Sequence, residues 1–190
     1  MHSKKFLFLE RWIKNPLKIG AIMPASSYLV DRIVHEVINR YSNHIIIEAG
    51  AGTGSISKKL INSPISIDEN THIFETDPVF FRFLKSNFKQ ANIWNDCISN
   101  WAIYCGNAKS IIVVSSLPLK SLPHSVRRLV YLNYKLILGL HKNNHVLQYS
   151  YGNSPPTLDK EFMNLIYWKK ICVVFRNIPP ATLWELKSKD

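Results

Sequence analysis

Acidic residues are scarce in this sequence. Its 190 residues include 13 Asp and Glu against 24 Lys and Arg, which gives a formal net charge of +11 at pH 7. Between Cys97 and Leu158 there is no acidic residue at all. Such a surplus of positive charge favours a polyanionic partner, either nucleic acid or an anionic lipid surface. A basic surface that serves only solubility is the alternative to both.

Paired cysteines and long apolar runs are also missing. The three cysteines show no C-x-x-C spacing, so the sequence favours buried thiols over a disulfide framework or a metal site. No apolar run approaches the roughly 18 residues that cross a bilayer, and none resembles a signal peptide. These absences predict a cytoplasmic protein. The length and the 46% hydrophobic content predict one domain, residues 41–190, with a helical extension over residues 1–40.

The extension is predicted to contain two helices. The first covers residues 4–14, with basic side chains around an apolar stripe of Phe6, Leu9 and Ile13. A basic amphipathic helix of this kind either lies on an anionic membrane surface or packs its apolar face on the domain. The second helix is predicted to run from a cap at Ser26 or Ser27 to about Arg40.

After residue 41, short apolar runs alternate with helical patterns. The predicted strands cover residues 44–50, 71–75, 91–94, 110–116 and 145–151. The predicted helices between them cover residues 53–62, 78–88 and 125–140, and Asp77 caps the second of these, which begins with Pro78. Such alternation is typical of an α/β fold with a mostly parallel sheet. Two further strands around Pro179 and Pro180 predict an antiparallel pair at the C-terminal edge.

The first strand ends in "EAGAGTG", residues 48–54, which contains three of the seven glycines in the chain. Glycines at a strand-to-helix turn let the backbone approach a ligand, and the next helix presents free N–H groups to it. A dinucleotide fingerprint would be G-x-G-x-x-G, whereas this is E-x-G-x-G-x-G. The pattern resembles the nucleotide loop of class I S-adenosylmethionine-dependent methyltransferases, which implies a Rossmann-like sheet and S-adenosyl-L-methionine as cofactor.

Two later acids support this resemblance. Glu75 ends the second strand about 20 residues after the last glycine, where an acid binds ribose hydroxyls. Asp96 follows the third strand, where this class commonly receives the adenine amino group, although a simple turn residue is the alternative. The resemblance places Glu48 near the methionine end and Glu75 on the ribose. It places Gly50, Gly52 and Gly54 under the cofactor, and Asp96 with Cys97 beside the adenine.

The fourth strand ends in "SSLPL", residues 115–119, at the edge where ligands of an open α/β sheet react. Nucleic-acid amino-methyltransferases usually have Asn or Asp, then Pro and an aromatic residue there. In the rRNA adenine dimethyltransferases, the corresponding segment resembles N-L-P-Y. This chain keeps the leucine and proline and lacks both the amide and the aromatic ring. A nucleic-acid adenine N6-methyltransferase is therefore the second choice.

The chain as a whole is similar to bacterial phospholipid N-methyltransferases. The similar segments are "NPLKIGAIMPASS", "EAGAGTG", "FETDPVF", "VVSSLPLKSLP", "LQYSYG" and "NIPPATLWELK". Ala49 and Ala51 stand where Leu and Pro are expected, and Cys97 stands where the family tends to have Ala. The resemblance implies stepwise N-methylation of phosphatidylethanolamine towards phosphatidylcholine. It also implies peripheral attachment to the inner membrane face, for which the basic N-terminal helix is the candidate anchor.

The substrate side of the site is predicted from the same segments. Alternation places Tyr149 and Tyr151 on one side of the fifth strand, where they face the amine or serve as sheet tyrosines. Ser115 and Ser116 either bind the headgroup or simply end the fourth strand. Leu117 and Pro118 are predicted to line the substrate site. Arg127 and Arg128 are the candidates to meet the lipid phosphate, since guanidinium suits phosphate geometry. Adjacent helical positions differ by about 100°, so at most one of the two does, and Arg127 is predicted to be that residue.

Overall fold

The computed structural model of the protein describes residues 25–65, 70–89 and 91–189. The helix predicted over residues 4–14 lies outside these ranges. The helices are α1 Ser27–Arg40, α2 Ser55–Ile61, α3 Pro78–Asn87, α4 Trp101–Cys105 and α5 His124–Leu140. The strands are β1 Ile45–Ala49, β2 Thr71–Phe74, β3 Asn92–Trp94, β4 Ile111–Ser115, β5 His145–Tyr151, β6 Ile166–Val174 and β7 Ala181–Ser188. Within the described ranges, no helix combines the length and the apolar character needed to cross a bilayer.

The seven strands form one sheet in the order β3-β2-β1-β4-β5-β7-β6. Strands β1 to β5 are parallel to one another, and β7 pairs antiparallel with both β5 and β6. The predicted α/β architecture, with its antiparallel pair at the C-terminal edge, is therefore confirmed. The carboxyl ends of all five parallel strands lie along one edge of the sheet.

Helices α1 and α3 begin at capping residues that the sequence predicted. The Ser26 hydroxyl accepts the Leu29 N–H at 3.2 Å, and the Asp77 carboxylate accepts the N–H groups of Val79 and Phe80 at 2.8 and 3.3 Å. A side-chain acceptor at this position satisfies an N–H group that the helix itself leaves free. The short helix α4 was not predicted, because five residues are too few to show a helical period.

Alternate residues of the central strands pack into two separate cores. Ile47 and Val113 belong to the core beneath α5, whereas Ile46 and Ile112 belong to the core beneath α1 and α2. Successive strand residues point to opposite faces of a sheet, so the apolar runs of β1 and β4 fill both cores. The polar residues at the strand ends follow the same alternation, which decides which side of the sheet each one faces.

A buried carboxylate stabilises the edge of the sheet that lies at the amino end of β5, opposite the edge formed by the carboxyl ends of the parallel strands. Glu185 of β7 accepts hydrogen bonds from His145 at 2.6 Å and Lys187 at 2.9 Å, and Arg40 lies at 3.5 Å. Burial alone would raise the pKa of Glu185, but these partners outweigh burial and lower it to about 2. The ionised form is therefore favoured by folding at neutral pH.

We expect Glu185→Gln to lower the free energy of unfolding by about 2 kcal/mol at pH 7. The full pKa shift would imply more, but Arg40 and Lys187 are partly exposed and water screens their charges. Because the pKa is lower in the folded state, the wild-type advantage should shrink as pH falls from about 5 towards 2. Urea unfolding at several pH values measures this.

Glu161→Gln is the matched control, because Glu161 pairs with Arg128 on an exposed surface and should change stability by less than about 0.5 kcal/mol. If Glu185→Gln costs as much at pH 3 as at pH 7, the charge of Glu185 is not what stabilises the fold.

Candidate active site

The three glycines after β1 differ in what surrounds them. Gly50, Gly52 and Gly54 have φ angles of 76°, 54° and 72°, a region that residues other than glycine rarely adopt. A Cβ at Gly50 would lie 2.8 Å from Leu117, and one at Gly54 would lie 2.6 Å from Leu84. A Cβ at Gly52 would meet nothing within 4 Å. Gly50 and Gly54 therefore allow close packing within the protein, and Gly52 borders open space.

Glu75 connects the end of β2 to this glycine loop. Its Oε2 accepts the Gly52 N–H at 2.7 Å and its Oε1 accepts the Asp77 N–H at 2.8 Å. Burial raises the pKa of Glu75, and the two backbone N–H groups act in the opposite direction. Each carboxylate oxygen can still accept another hydrogen bond. The predicted ribose-binding acid is thus adjacent to the glycine that borders open space.

Glu48 is fully buried at the other side of the loop. Its Oε2 accepts the Ser57 hydroxyl at 2.6 Å, and its Oε1 has no hydrogen-bond partner among the described residues. Burial raises the pKa of Glu48 to about 7, although Ser57 acts to lower it. Leaving a buried carboxylate oxygen unpaired is unfavourable, so this group is suited to a cationic or hydrogen-bonding ligand.

Asp96 lies at the end of β3 within an aromatic cluster that the sequence analysis missed. Its carboxylate accepts the Tyr104 hydroxyl at 2.7 Å and the Cys97 N–H at 2.6 Å. The hydrogen bond from Tyr104 is the main reason that the pKa of Asp96 is lowered. The Tyr104 ring stacks on Trp94 with 4.3 Å between centroids. Asp96 and Cys97 therefore share this corner with Tyr104, whose position on a five-residue helix gave no sequence signal.

The end of β3 is joined to the end of β2. The Asn95 side chain donates a hydrogen bond to the backbone carbonyl of Glu75 at 2.8 Å. Three of the predicted cofactor-binding regions, at Gly52, Glu75 and Asp96, consequently follow one another along the same edge. Trp94 stacks between His72 and Tyr104 and so holds the Tyr104 hydroxyl against Asp96.

Ser115 and Ser116 are separated by the strand geometry. Ser115 is fully buried on the α5 side, and its Oγ accepts the Leu117 N–H at 3.4 Å. The Ser116 N–H donates to the Ala49 carbonyl at 2.8 Å, and its hydroxyl approaches Tyr149. The structure therefore brings Ser116 towards the predicted substrate tyrosines, while Ser115 stabilises the turn from behind.

Tyr149 and Tyr151 lie on the same side of β5, as alternation predicted. Their half-buried rings meet edge to face, with 5.9 Å between centroids and an interplanar angle of 81°. Burial is the main cause that raises the pKa of Tyr149, followed by Tyr151, and the Glu48 charge acts in the same direction. Tyr149, Tyr151, Ser116 and Glu48 thus form one group on the α1 and α2 side of the sheet.

Leu117 and Pro118 begin a turn that Gln148 and Arg127 support. Leu117 covers Gly50, and its carbonyl accepts the Gln148 amide at 3.1 Å. Gln148, which is 3% exposed, was not among the residues predicted from the sequence. The Pro118 carbonyl accepts the N–H of Ser121 at 2.8 Å. Leu117 therefore packs between the glycine loop and β5.

Arg127 makes protein contacts that were not predicted from the sequence. Its guanidinium binds Asp159 through Nε at 3.0 Å and Nη2 at 2.7 Å, and donates from Nη1 to the carbonyls of Leu119 and Leu122. Four of its five N–H groups are engaged, which leaves no free fork for a phosphate. Arg127 is engaged in this way because Asp159, which lies just beyond the acid-free stretch in the sequence, is close to α5 in the structure. Arg128 pairs with the exposed Glu161.

We expect Arg127→Ala to lower the free energy of unfolding by about 3 kcal/mol, because Asp159 would keep a nearly buried charge without its partner. Arg128→Ala is the adjacent control, with an expected loss below about 0.5 kcal/mol. Thermal or urea unfolding checks both. Equal losses for the two variants would show that Arg127 does not support the turn.

No protein-family model matches this chain, and no curated protein matches it. The fold is similar to a TehB-like SAM-dependent methyltransferase from Corynebacterium glutamicum, with 14% identity, a TM-score of 0.58, and 96% of this chain and 97% of that chain covered.

Two further structures show the same similarity. An rRNA methylase from Streptococcus thermophilus is 13% identical over 90% of this chain and 99% of its own, with a TM-score of 0.53. The human methyltransferase 10 domain containing protein is 12% identical over 99% of this chain and 98% of its own, with a TM-score of 0.56. The described chain thus has the fold of class I methyltransferases.

Proposed function

We propose that this protein is an S-adenosylmethionine-dependent methyltransferase that N-methylates phosphatidylethanolamine, stepwise towards phosphatidylcholine, at the inner face of a membrane. The observation that supports the cofactor most directly is the pair of buried acids at the glycine loop. Glu75 accepts the N–H of Gly52, which borders open space, and Glu48 has an unpaired Oε1. The fold similarity to class I methyltransferases is consistent with it.

The residues at the loop fit this cofactor chemically. The unpaired Oε1 of Glu48 is an acceptor for the ammonium of the methionine portion, and Glu75 retains acceptor capacity for ribose hydroxyls. Asp96, with Tyr104 and Trp94, provides a polar acceptor beside aromatic rings for the adenine. The bound cofactor would supply a methyl group on a sulfonium that a neutral amine attacks in line.

The substrate assignment rests on the turn after β4 and on the two tyrosines of β5. The "SSLPL" turn has no carboxylate, and a carboxylate there would stabilise the charged, unreactive ammonium. A lipid amine has a pKa of roughly 10, so a site for it must lower that pKa or accept its proton. Leu117 and the half-buried rings of Tyr149 and Tyr151 would lower it by removing water.

The same rings suit the later substrates. Each methylation leaves a larger and less hydrated cation, and aromatic faces attract such cations. The edge-to-face arrangement of Tyr149 and Tyr151 presents one ring face and one ring edge. The protein's role in the reaction is then to align the amine and to exclude water.

A nucleic-acid adenine N6-methyltransferase is the alternative. The net charge of +11 favours it, and an rRNA methylase is among the similar structures. Against it, Ser116 and Leu119 stand where such enzymes resemble N-L-P-Y, so the amide that would hold the adenine amine and the ring that would stack on it are both missing.

The two functions are separated by one labelling experiment. Purified protein is incubated with methyl-labelled S-adenosylmethionine and either phosphatidylethanolamine vesicles or total RNA. We expect label in the organic phase with the vesicles and none in the RNA. Gly52→Ala is the negative control, because its Cβ would occupy the open position beside Glu75. Label that enters RNA alone would overturn the substrate assignment.

We also expect Glu48→Gln to stabilise the cofactor-free protein at pH 8 by about 2 to 3 kcal/mol, because Glu48 ionises while buried. Its pKa is higher in the folded state, so the wild-type penalty arises between about pH 4.5 and pH 7 and is absent at pH 4. Thermal unfolding at both pH values measures this.

The same variant should bind S-adenosylmethionine at least about tenfold more weakly at pH 8, since a neutral amide replaces the carboxylate that faces the ammonium. Glu185→Gln is the matched control, because it also replaces a buried carboxylate but should destabilise the fold and leave cofactor affinity unchanged. If Glu48→Gln destabilises the protein at pH 8, Glu48 is a structural residue and not a ligand-binding one.

A further inference from the structure

The hairpin between β6 and β7 projects from the same edge as the candidate active site. We call residues 175–180 the hairpin tip. Strand β7 runs antiparallel to β5, with Ala181 opposite Tyr151, and the Gly152 N–H donates to the Pro180 carbonyl at 2.7 Å. The hairpin tip therefore begins where the substrate tyrosines end.

The composition of the hairpin tip is unusual for a turn in water. Phe175 is 78% exposed and Ile178 is 80% exposed, and the adjacent Pro179 and Pro180 are exposed as well. Turns at a water surface are built mainly from Gly, Asn, Asp and Ser, with proline at particular positions. The hairpin tip instead exposes two large apolar side chains and two prolines within six residues. Exposed apolar groups that cluster at one point indicate an interaction site.

The hairpin tip is also held in place. Its one amide residue, Asn177, is 1% exposed and turned inward. The Asn177 side chain accepts the Ser26 N–H at 2.9 Å and donates to the Pro179 carbonyl at 2.7 Å. Asn177 thereby ties the hairpin tip to the start of α1, and the apolar side chains project from a fixed support.

The charges around the hairpin tip favour an anionic partner. Arg176 lies in the hairpin tip itself, and the Lys170 ammonium donates to Asn153 at 2.5 Å, next to the Gly152 that bonds to Pro180. The one acid of the hairpin, Glu185, lies further along β7, where it is buried and paired with Lys187. Arg176 lies over the ring of the half-exposed Tyr28, 4.9 Å from its centroid. Tyrosine and arginine side chains around an apolar point are typical of segments that enter the interface of a bilayer.

We propose that the hairpin tip inserts Phe175 and Ile178 into the interfacial region of an anionic lipid bilayer. Arg176 and Tyr28 then lie at the level of the phosphates, and Tyr149 and Tyr151 are brought to the headgroup amines. The use of this contact for catalysis rests on the proposed function, whereas the contact itself depends only on the hairpin tip. Each cation near an anionic leaflet adds to binding and makes it sensitive to salt.

The test compares the double variant Phe175→Ser/Ile178→Ser with wild type in co-sedimentation with vesicles. The vesicles contain phosphatidylglycerol and phosphatidylcholine and no phosphatidylethanolamine, so that binding is measured apart from turnover. We expect the double variant to partition at least about tenfold more weakly, because two apolar side chains no longer leave water. Thermal unfolding of the double variant checks that it is folded.

Ile103→Ser is the matched control. Ile103 is 74% exposed on α4, away from the hairpin tip, and its loss should change partitioning by less than about twofold. A conservative variant, Phe175→Trp/Ile178→Leu, should bind as wild type does, and its additional tryptophan emission should shift to shorter wavelength on vesicles.

Four results would overturn the inference. They are wild-type protein that does not sediment with the vesicles, a double variant that partitions as wild type does, an equal loss for Ile103→Ser, and a wild-type dimer that the double variant converts to monomer. The last would identify the hairpin tip as an interface between copies of the chain. Failure of the proposed function is distinguishable, since it would appear as no methyl transfer to phosphatidylethanolamine while vesicle binding still depends on the hairpin tip.

Discussion

The buried carboxylate of Glu75 is the interaction on which the candidate site depends. It binds the N–H of Gly52 and the N–H of Asp77 at once, and so connects the glycine loop, the end of β2 and the start of α3. Without Glu75, Gly52 would still have a positive φ angle, but its N–H group would have no acceptor. Because burial raises its pKa while backbone donors stabilise its charge, Glu75 is both a structural link and an available acceptor.

Glu185 and Glu48 are both buried carboxylates, but their surroundings shift their pKa values in opposite directions. Glu185 has three cationic or hydrogen-bonding partners, and its pKa falls to about 2. Glu48 has one hydroxyl partner and an unpaired oxygen, and its pKa rises to about 7. The first is a charge that folding stabilises, and the second is a charge that folding tolerates at a cost. A cost of this kind is expected where a ligand, and not the protein, supplies the missing partner.

Whether a feature of the site could be predicted depends on how many positions separate the residues that form it. The glycine loop, the cap at Asp77 and the shared side of Tyr149 and Tyr151 depend on local geometry, and the structure has them as expected. The ion pair of Arg127 was not predicted, because its partner Asp159 lies 32 positions away and no periodic pattern connects the two. Gln148 was missed for the same reason, since the Leu117 carbonyl that it binds lies 31 positions away. Tyr104 was missed because the five residues of α4 show no helical period.

The sequence by itself determined the strand and helix alternation, the capping residues and the acid-glycine pattern, because each follows from repeating geometry or from contacts within a few residues. Only the tertiary structure decided which polar groups meet. Asn177 reaches Ser26 across 151 positions, and the hairpin tip is thereby fixed beside the site. Antiparallel pairing of β7 with β5 brought Phe175 and Ile178 to the edge that holds the candidate site. Strand order and register set such contacts, and neither is encoded by the local period of the chain.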